Sequence, residues 1–185
     1  MSRLALPAFF VAVLGLYPQT DGKPPPDATQ DAEAPAAAVN PRVQSLDGII
    51  QELYAVISGP KGKARDLAAM KALFLPESRL VPVVARRDGS HGPRPMSLDD
   101  YARSFEWMEA NGFFESEIHR ETSVFGHVAQ IFSTYESRLL PDAEPFARGL
   151  NSVQLVFDGK RWWISGIAWD QESAEQPIPA RYLPE

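Results

Sequence analysis

The hydrophobic period of this chain changes once, at Gly112, and that change limits the possible folds more than any other feature. Before Gly112, apolar residues recur at helical spacing. Leu46, Ile50, Leu53 and Ile57 form one stripe between Gln44 and Ser58, closed by Gly59-Pro60. Asp66 reads as the N-cap of a shorter helix that turns Leu67, Met70 and Phe74 inward and stops at Pro76. Ser97-Leu98-Asp99-Asp100 has the form of a capping box, and Leu98, Tyr101, Phe105 and Met108 extend a third stripe to Gly112. After Gly112 the residues alternate. Phe113 to Val124 and His127 to Leu139 predict a hairpin around Phe125-Gly126, and Asn151 to Phe157 and Trp162 to Trp169 predict another around Asp158-Gly159. A short strand is expected at Arg79 to Ala85. The expected fold is α+β, with three N-terminal helices packed on one face of a mostly antiparallel sheet.

With 185 residues, 44% of them hydrophobic, the chain is long enough for one core and too short for two full domains. Its net charge of −6 is spread along the sequence, and no basic stripe interleaved with aromatics occurs, so no nucleic-acid partner is expected. The absence of cysteine excludes disulfides, a thiolate metal site, a cysteine nucleophile and a lipid-modified cysteine. His91, His119 and His127 match no metal-ligand spacing, and there is no G-x-S-x-G, P-loop or dinucleotide fingerprint. No metal and no cofactor are expected.

The first 17 residues, MSRLALPAFFVAVLGLY, place Arg3 before an apolar run from Leu4 to Leu16 that is too short to span a bilayer. Residues 1–22 are read as a secretory leader and 23–43 as a disordered linker rich in Pro and Ala; the folded domain is expected over 44–185. The mature domain is expected in the periplasm or outside the cell, with no stable membrane insertion. An uncleaved leader acting as an anchor is the alternative.

The strings FGHVAQIFSTYESR (Phe125 to Arg138) and RGLNSVQLVFDGKRWWISGIAWDQE (Arg148 to Glu172), with the closing IPARYLP (Ile178 to Pro184), resemble the nuclear transport factor 2-like superfamily. The nearest likeness is its bacterial, ketosteroid-isomerase-like and polyketide-cyclase-like branch. The resemblance covers Gln44 to Pro184. It implies a cystatin-like cone, in which three helices lie against a curved sheet with a pocket between them, and frequently a homodimer through the sheet. It does not imply a reaction, because the fold hosts isomerases, cyclases, dehydratases, transport adaptors and non-catalytic binders. The aspartate, tyrosine and protonated aspartate of the steroid isomerases have no residue-by-residue counterpart here.

A two-residue turn at Phe125-Gly126 sets Val124 opposite His127, which pairs Glu117 with Thr134, His119 with Phe132 and Glu121 with Gln130, and brings Glu115 to Glu136. Glu117, His119, Glu121, Gln130, Thr134 and Glu136 then share a polar face, interrupted by Phe132. It is either a pocket wall in which His119 and a carboxylate exchange a proton, or the solvated side of the sheet. The more apolar face, with Ala129, Ile131, Ser133 and Tyr135, is expected to meet the helices. There Arg120 and Tyr135 are placed to orient a ligand, or Tyr135 packs with its hydroxyl at the rim. Tyr54 on the first helix is a further pocket candidate. Strict alternation sends Trp162 and Ile164 to one face, and Trp163, Ile167 and Trp169 to the other. Two apolar faces call for a partner, most simply a second copy, or make Trp169 a pocket wall. His91 lies in a loop that either closes over the pocket mouth or is merely solvated.

The function expected is that of an exported protein binding a small, largely apolar molecule without catalysis. A cofactor-free isomerase, cyclase or dehydratase with a His/Glu or Tyr acid–base group is one alternative. A structural dimerisation module is the other.

Overall fold

A computed structural model describes residues 40–185 apart from Arg87. The leader and most of the linker therefore lie outside the described residues. A short 3-10 turn, Pro41–Gln44, is the first element of the described residues, with Val43 fully buried. The folded unit thus begins a few residues before the expected boundary at Gln44.

Helix α1 spans Leu46–Ile57, with the Ser45 hydroxyl accepting from the Gly48 N–H at 3.0 Å as its N-cap. Ile49, Ile50, Leu53, Tyr54 and Ile57 bury one face. Its last carbonyls are satisfied by Arg65, whose guanidinium donates to Ile57 O at 2.8 Å and Gly59 O at 2.6 Å. Helix α2, Leu67–Lys71, is capped by Asp66 as expected, but it ends before Phe74, which starts a strand. The predicted third helix is two pieces, α3 at Leu98–Tyr101 and α4 at Ser104–Asn111. The Ser97/Asp100 capping box is present, and Leu98, Phe105 and Met108 are buried across the break. Gly112 closes α4 with φ 81°, and a Cβ there would stand 2.8 Å from Leu139 O, so both conformation and space require glycine.

The strands are β1 (Phe74–Ala85), β2 (His91–Pro93), β3 (Phe114–Phe125), β4 (Val128–Arg138), β5 (Ala147–Phe157) and β6 (Trp162–Gln171). They form one sheet in the order β2-β1-β6-β5-β4-β3. Only the β1–β6 pairing is parallel. Two differences from the expected arrangement stand out. The helices do not all precede the sheet, since β1 and β2 lie between α2 and α3. The β1 strand is also longer than Arg79 to Ala85, because Phe74 already pairs with Ile164 before an irregular stretch.

The core fills the space between the helices and one face of the sheet. Ile49, Ile50 and Leu53 from α1 meet Ala129, Ile131, Val153, Leu155, Ile164 and Ile167 from the strands. A buried Leu side chain contributes about 2 kcal/mol by leaving water, so this apolar layer supplies most of the driving force for the fold.

Two β-bulges decide which residues join that layer. The β3–β4 turn is Gly126-His127, one residue later than expected, so Val124 pairs with Ala129 and His119 with Thr134. Beyond that point the register slips: Glu117 pairs with Tyr135 and Glu115 with Ser137, leaving Ile118 as the extra residue. In β6, Gly166 pairs with Gln154 and Ile164 with Leu155, leaving Ser165 as the extra one. A bulge reverses the alternation that follows it. Glu115 and Glu117 therefore share a face with Tyr135 and Ser137, and not with His119. Trp162, Ile164, Ile167 and Trp169 likewise all belong to the core side. The crowding of apolar residues on both faces, which had called for a partner, is accounted for within the chain.

The outer face is partly covered by the chain's own end. The Thr134 hydroxyl, fully buried, donates to Tyr182 O, and the Phe132 and Tyr182 rings lie 5.3 Å apart. Glu172 holds this strap in place, accepting from Ile178 N at 3.0 Å and from Arg148 Nε at 2.7 Å.

Candidate functional site

Between α1, α3, α4 and the sheet the core leaves a cavity of about 220 Å³. Its walls are mainly apolar, with Leu53, Met70, Leu80, Met108 and Ile167 among them. Phe146 lines the cavity yet is 52% exposed, so it stands at the mouth, 6.3 Å from the rings of both Trp107 and Phe113.

Glu115 supplies the one carboxyl of this wall. The Ile118 bulge turns its side chain inward, and the Ser137 hydroxyl opposite donates to Oε2 at 2.7 Å. Burial pushes the Glu115 carboxyl up to about 7, because one neutral hydrogen bond does not replace lost hydration. The residue as a whole is only half-buried, since part of its surface borders the cavity it lines. It also has no cationic partner, whereas Glu117 is paired with Arg120 and Glu136 with Arg138.

Three tyrosines surround this carboxyl from three elements. Tyr54 comes from α1, Tyr101 from the end of α3 and Tyr135 from β4. Each phenol is held neutral well above its ordinary range, first by burial and then by the nearby charge of Glu115. Tyr135 fits because its β5 neighbour is Gly149, where a Cβ would come within 2.5 Å of the Tyr135 hydroxyl. Trp169 forms a further wall, its ring perpendicular to that of Tyr101 at 6.3 Å.

From the cavity a chain of polar contacts runs toward the surface. Asn151 Nδ2 donates to the Tyr54 hydroxyl at 3.1 Å, which lies 2.7 Å from the Ser133 hydroxyl. Ser133 in turn donates to Glu117 Oε1. Glu117 accepts from Arg120 Nε at 2.9 Å, and Arg120 Nη1 reaches Asp47 on α1 at 2.6 Å. Since Ser133 has one hydroxyl hydrogen and gives it to Glu117, the Tyr54 O–H must donate to Ser133. The Asn151 amide oxygen has no protein partner and lines the cavity.

Of the residues singled out in the sequence, Tyr54, Tyr135 and Trp169 line the cavity. Glu117 and Arg120 stand one step behind it, joined to Tyr54 through Ser133. His119, Gln130 and Thr134 lie on the opposite face: His119 pairs with Thr134, whose hydroxyl serves Tyr182, and Gln130 donates to the Ser152 hydroxyl at 2.8 Å. The bulge puts His119 and Glu117 on opposite faces of the sheet, so this pair is not assembled. Glu115, Tyr101, Ser137 and Asn151 escaped the sequence reading as site residues. Asn151 was legible in principle, as a polar residue alternating with Val153 and Leu155 on an inward face. Glu115 was not, since its side depends on the bulge.

No protein-family model matches the chain, and no curated protein matches it. Solved structures do. A protein of unknown function with a cystatin-like fold from Nostoc punctiforme is similar at 10% identity over 68% of this chain and 87% of that one, with a TM-score of 0.50. A protein of unknown function from Mycobacterium tuberculosis gives 16% identity over 71% and 77%, with a TM-score of 0.50. An NTF-2-like protein of unknown function from Silicibacter pomeroyi gives 16% identity over 69% and 92%, with a TM-score of 0.47. At such identities the likeness concerns the fold alone, and the chain has a cystatin-like fold.

Proposed function

We propose that this domain binds a small, largely apolar molecule in the cavity between α1, α3, α4 and the sheet. The observation that carries this reading is Glu115: a carboxyl with no cationic partner among the described residues, in the wall of an open, mainly apolar cavity. A folded protein gains no stability from such a group, since burial opposes its charge and only Ser137 compensates. Convergent polar groups in an apolar hollow are the ordinary form of a ligand site. A purely structural module would fill this space with its own side chains, and the space is open.

The test is a ligand-observed NMR screen of small apolar fragments, neutral and cationic, against the domain and its Ala147→Leu variant. Ala147 lines the cavity, and leucine there adds three carbons to it. Binding that the variant weakens at least tenfold, with an unchanged melting temperature, supports the reading. Binding indifferent to the substitution, or none, rejects it.

One observation favours a second reading, a cofactor-free acid–base enzyme. A carboxyl pushed up to about 7 is poised to take and return a proton at neutral pH, and the Tyr101 and Tyr135 hydroxyls stand ready to donate to a developing oxyanion. Exchange of an α-hydrogen of a bound carbonyl compound with deuterium from solvent, abolished in Glu115→Gln, is the result that reading requires.

Export of the domain through the apolar N-terminal segment belongs to the same proposal, and N-terminal sequencing of the mature protein tests it.

A further inference from the structure

The cavity wall carries a negative group and no positive one. Among the described residues no Lys, Arg or His lines it, and Glu115 is the only carboxyl there. The hairpin that presents Glu115 is not short of arginine, since Arg120 goes to Glu117 and Arg138 to Glu136. Neither arginine reaches the cavity carboxyl. The remaining polar groups are phenols, hydroxyls and amides, and the largest walls are aromatic: Tyr54, Tyr101, Tyr135 and Trp169. Tyr101 and Trp169 stand perpendicular, 6.3 Å apart, and present two ring systems at right angles.

Aromatic faces and a lone carboxylate attract the same kind of guest. Ring quadrupoles attract cations, more strongly when water is excluded, and an ammonium ion donates hydrogen bonds to the carboxylate and to phenol oxygens. An anionic guest would meet Glu115 with no compensating charge. A neutral guest would leave the carboxyl protonated or unpaired. We propose that the ligand of this cavity is a small apolar amine bound as its ammonium ion, with Glu115 as counter-ion and the tyrosine and tryptophan rings as walls. This rests on the reading of the cavity as a ligand site. A cavity of about 150 Å³ admits benzene, so 220 Å³ has room for one ring with a short aminoalkyl arm.

The titratable groups that face Glu115 across the cavity are phenols. Tyr54 of α1, Tyr101 of α3 and Tyr135 of β4 are held as neutral phenols. Glu117 on β3 is paired with Arg120, and Asp170 of β6 alternates with Trp169 and so points away from the cavity face. Amine binding must therefore displace a proton from Glu115 and tighten as pH rises from 6 to 8.

The experiment compares 2-phenylethylamine with its neutral analogue 2-phenylethanol by chemical-shift titration at pH 6 and pH 8, on the wild-type domain and on Glu115→Gln. The amine should bind at least tenfold more tightly than the alcohol at pH 8. It should weaken about tenfold at pH 6, as protonation of Glu115 competes, while the alcohol is unaffected. Glu115→Gln should abolish both the preference and the pH dependence. Equal binding of amine and alcohol at both pH values overturns the inference and leaves the ligand-site reading intact. Failure of both compounds, together with all the fragments, overturns the two together. The pH arm uses the unaltered protein, so it does not depend on the variant folding.

Discussion

The Ser137 hydroxyl donates a 2.7 Å hydrogen bond to the Glu115 carboxylate, and this is the only side-chain bond that carboxylate receives from the protein. Glu117 and Glu136 on the same hairpin are bound to arginines, whereas Glu115 is not.

That weak support has a thermodynamic consequence. The folded-state value of about 7 lies above the ordinary glutamate value of 4.5, so the folded protein binds the extra proton between these limits. Stability is then highest with Glu115 protonated and falls as pH rises toward and through 7, by roughly 2–3 kcal/mol in all. Glu115→Gln should match the wild type near pH 5 and exceed it by about 2 kcal/mol at pH 8. Urea denaturation at the two pH values measures this, and equal differences at both would refute it.

Tyr54 joins helix to sheet through two buried hydrogen bonds, to Ser133 and Asn151. Tyr54→Phe keeps the ring and leaves both partners short of one bond. The expected loss is about 1–3 kcal/mol of unfolding free energy, read from the urea midpoint at constant slope. An unchanged midpoint would mean that water replaces the hydroxyl.

Gly149 is the place where the Tyr135 hydroxyl passes over β5. Gly149→Ala should expel the ring from its site at a cost of about 1–3 kcal/mol, and should weaken any cavity ligand. A crystal structure of the variant with Tyr135 unmoved would contradict this.

The C-terminal strap is read as part of the fold and not as a tail. Ending the chain at Gln176 removes Tyr182, uncovers Phe132 and leaves the fully buried Thr134 hydroxyl without its acceptor. The expected cost is about 2–4 kcal/mol, measured by thermal unfolding, with the β4 amides near Thr134 exchanging faster. Unaltered exchange there would show the strap to be dispensable.

Much of this molecule was legible as a pattern along one strand of chain. The α1 stripe, the Asp66 cap, the Ser97/Asp100 capping box and both hairpins follow from side-chain period and local hydrogen-bonding chemistry, which act over a few residues. The inward face of β4 was legible for the same reason, since Ala129, Ile131, Ser133 and Tyr135 alternate without interruption. What no single strand can reveal is a slip between two of them. The extra residues Ile118 and Ser165 exist only relative to β4 and β5, and each reverses the alternation beyond it. One slip carried Glu115 and Glu117 to the helix side and left His119 outside; the other gathered Trp162 and Trp169 on one face. Local chemistry thus determined which elements form, while strand pairing decided which carboxyl meets the cavity, because a side chain's face depends on the register of its neighbour.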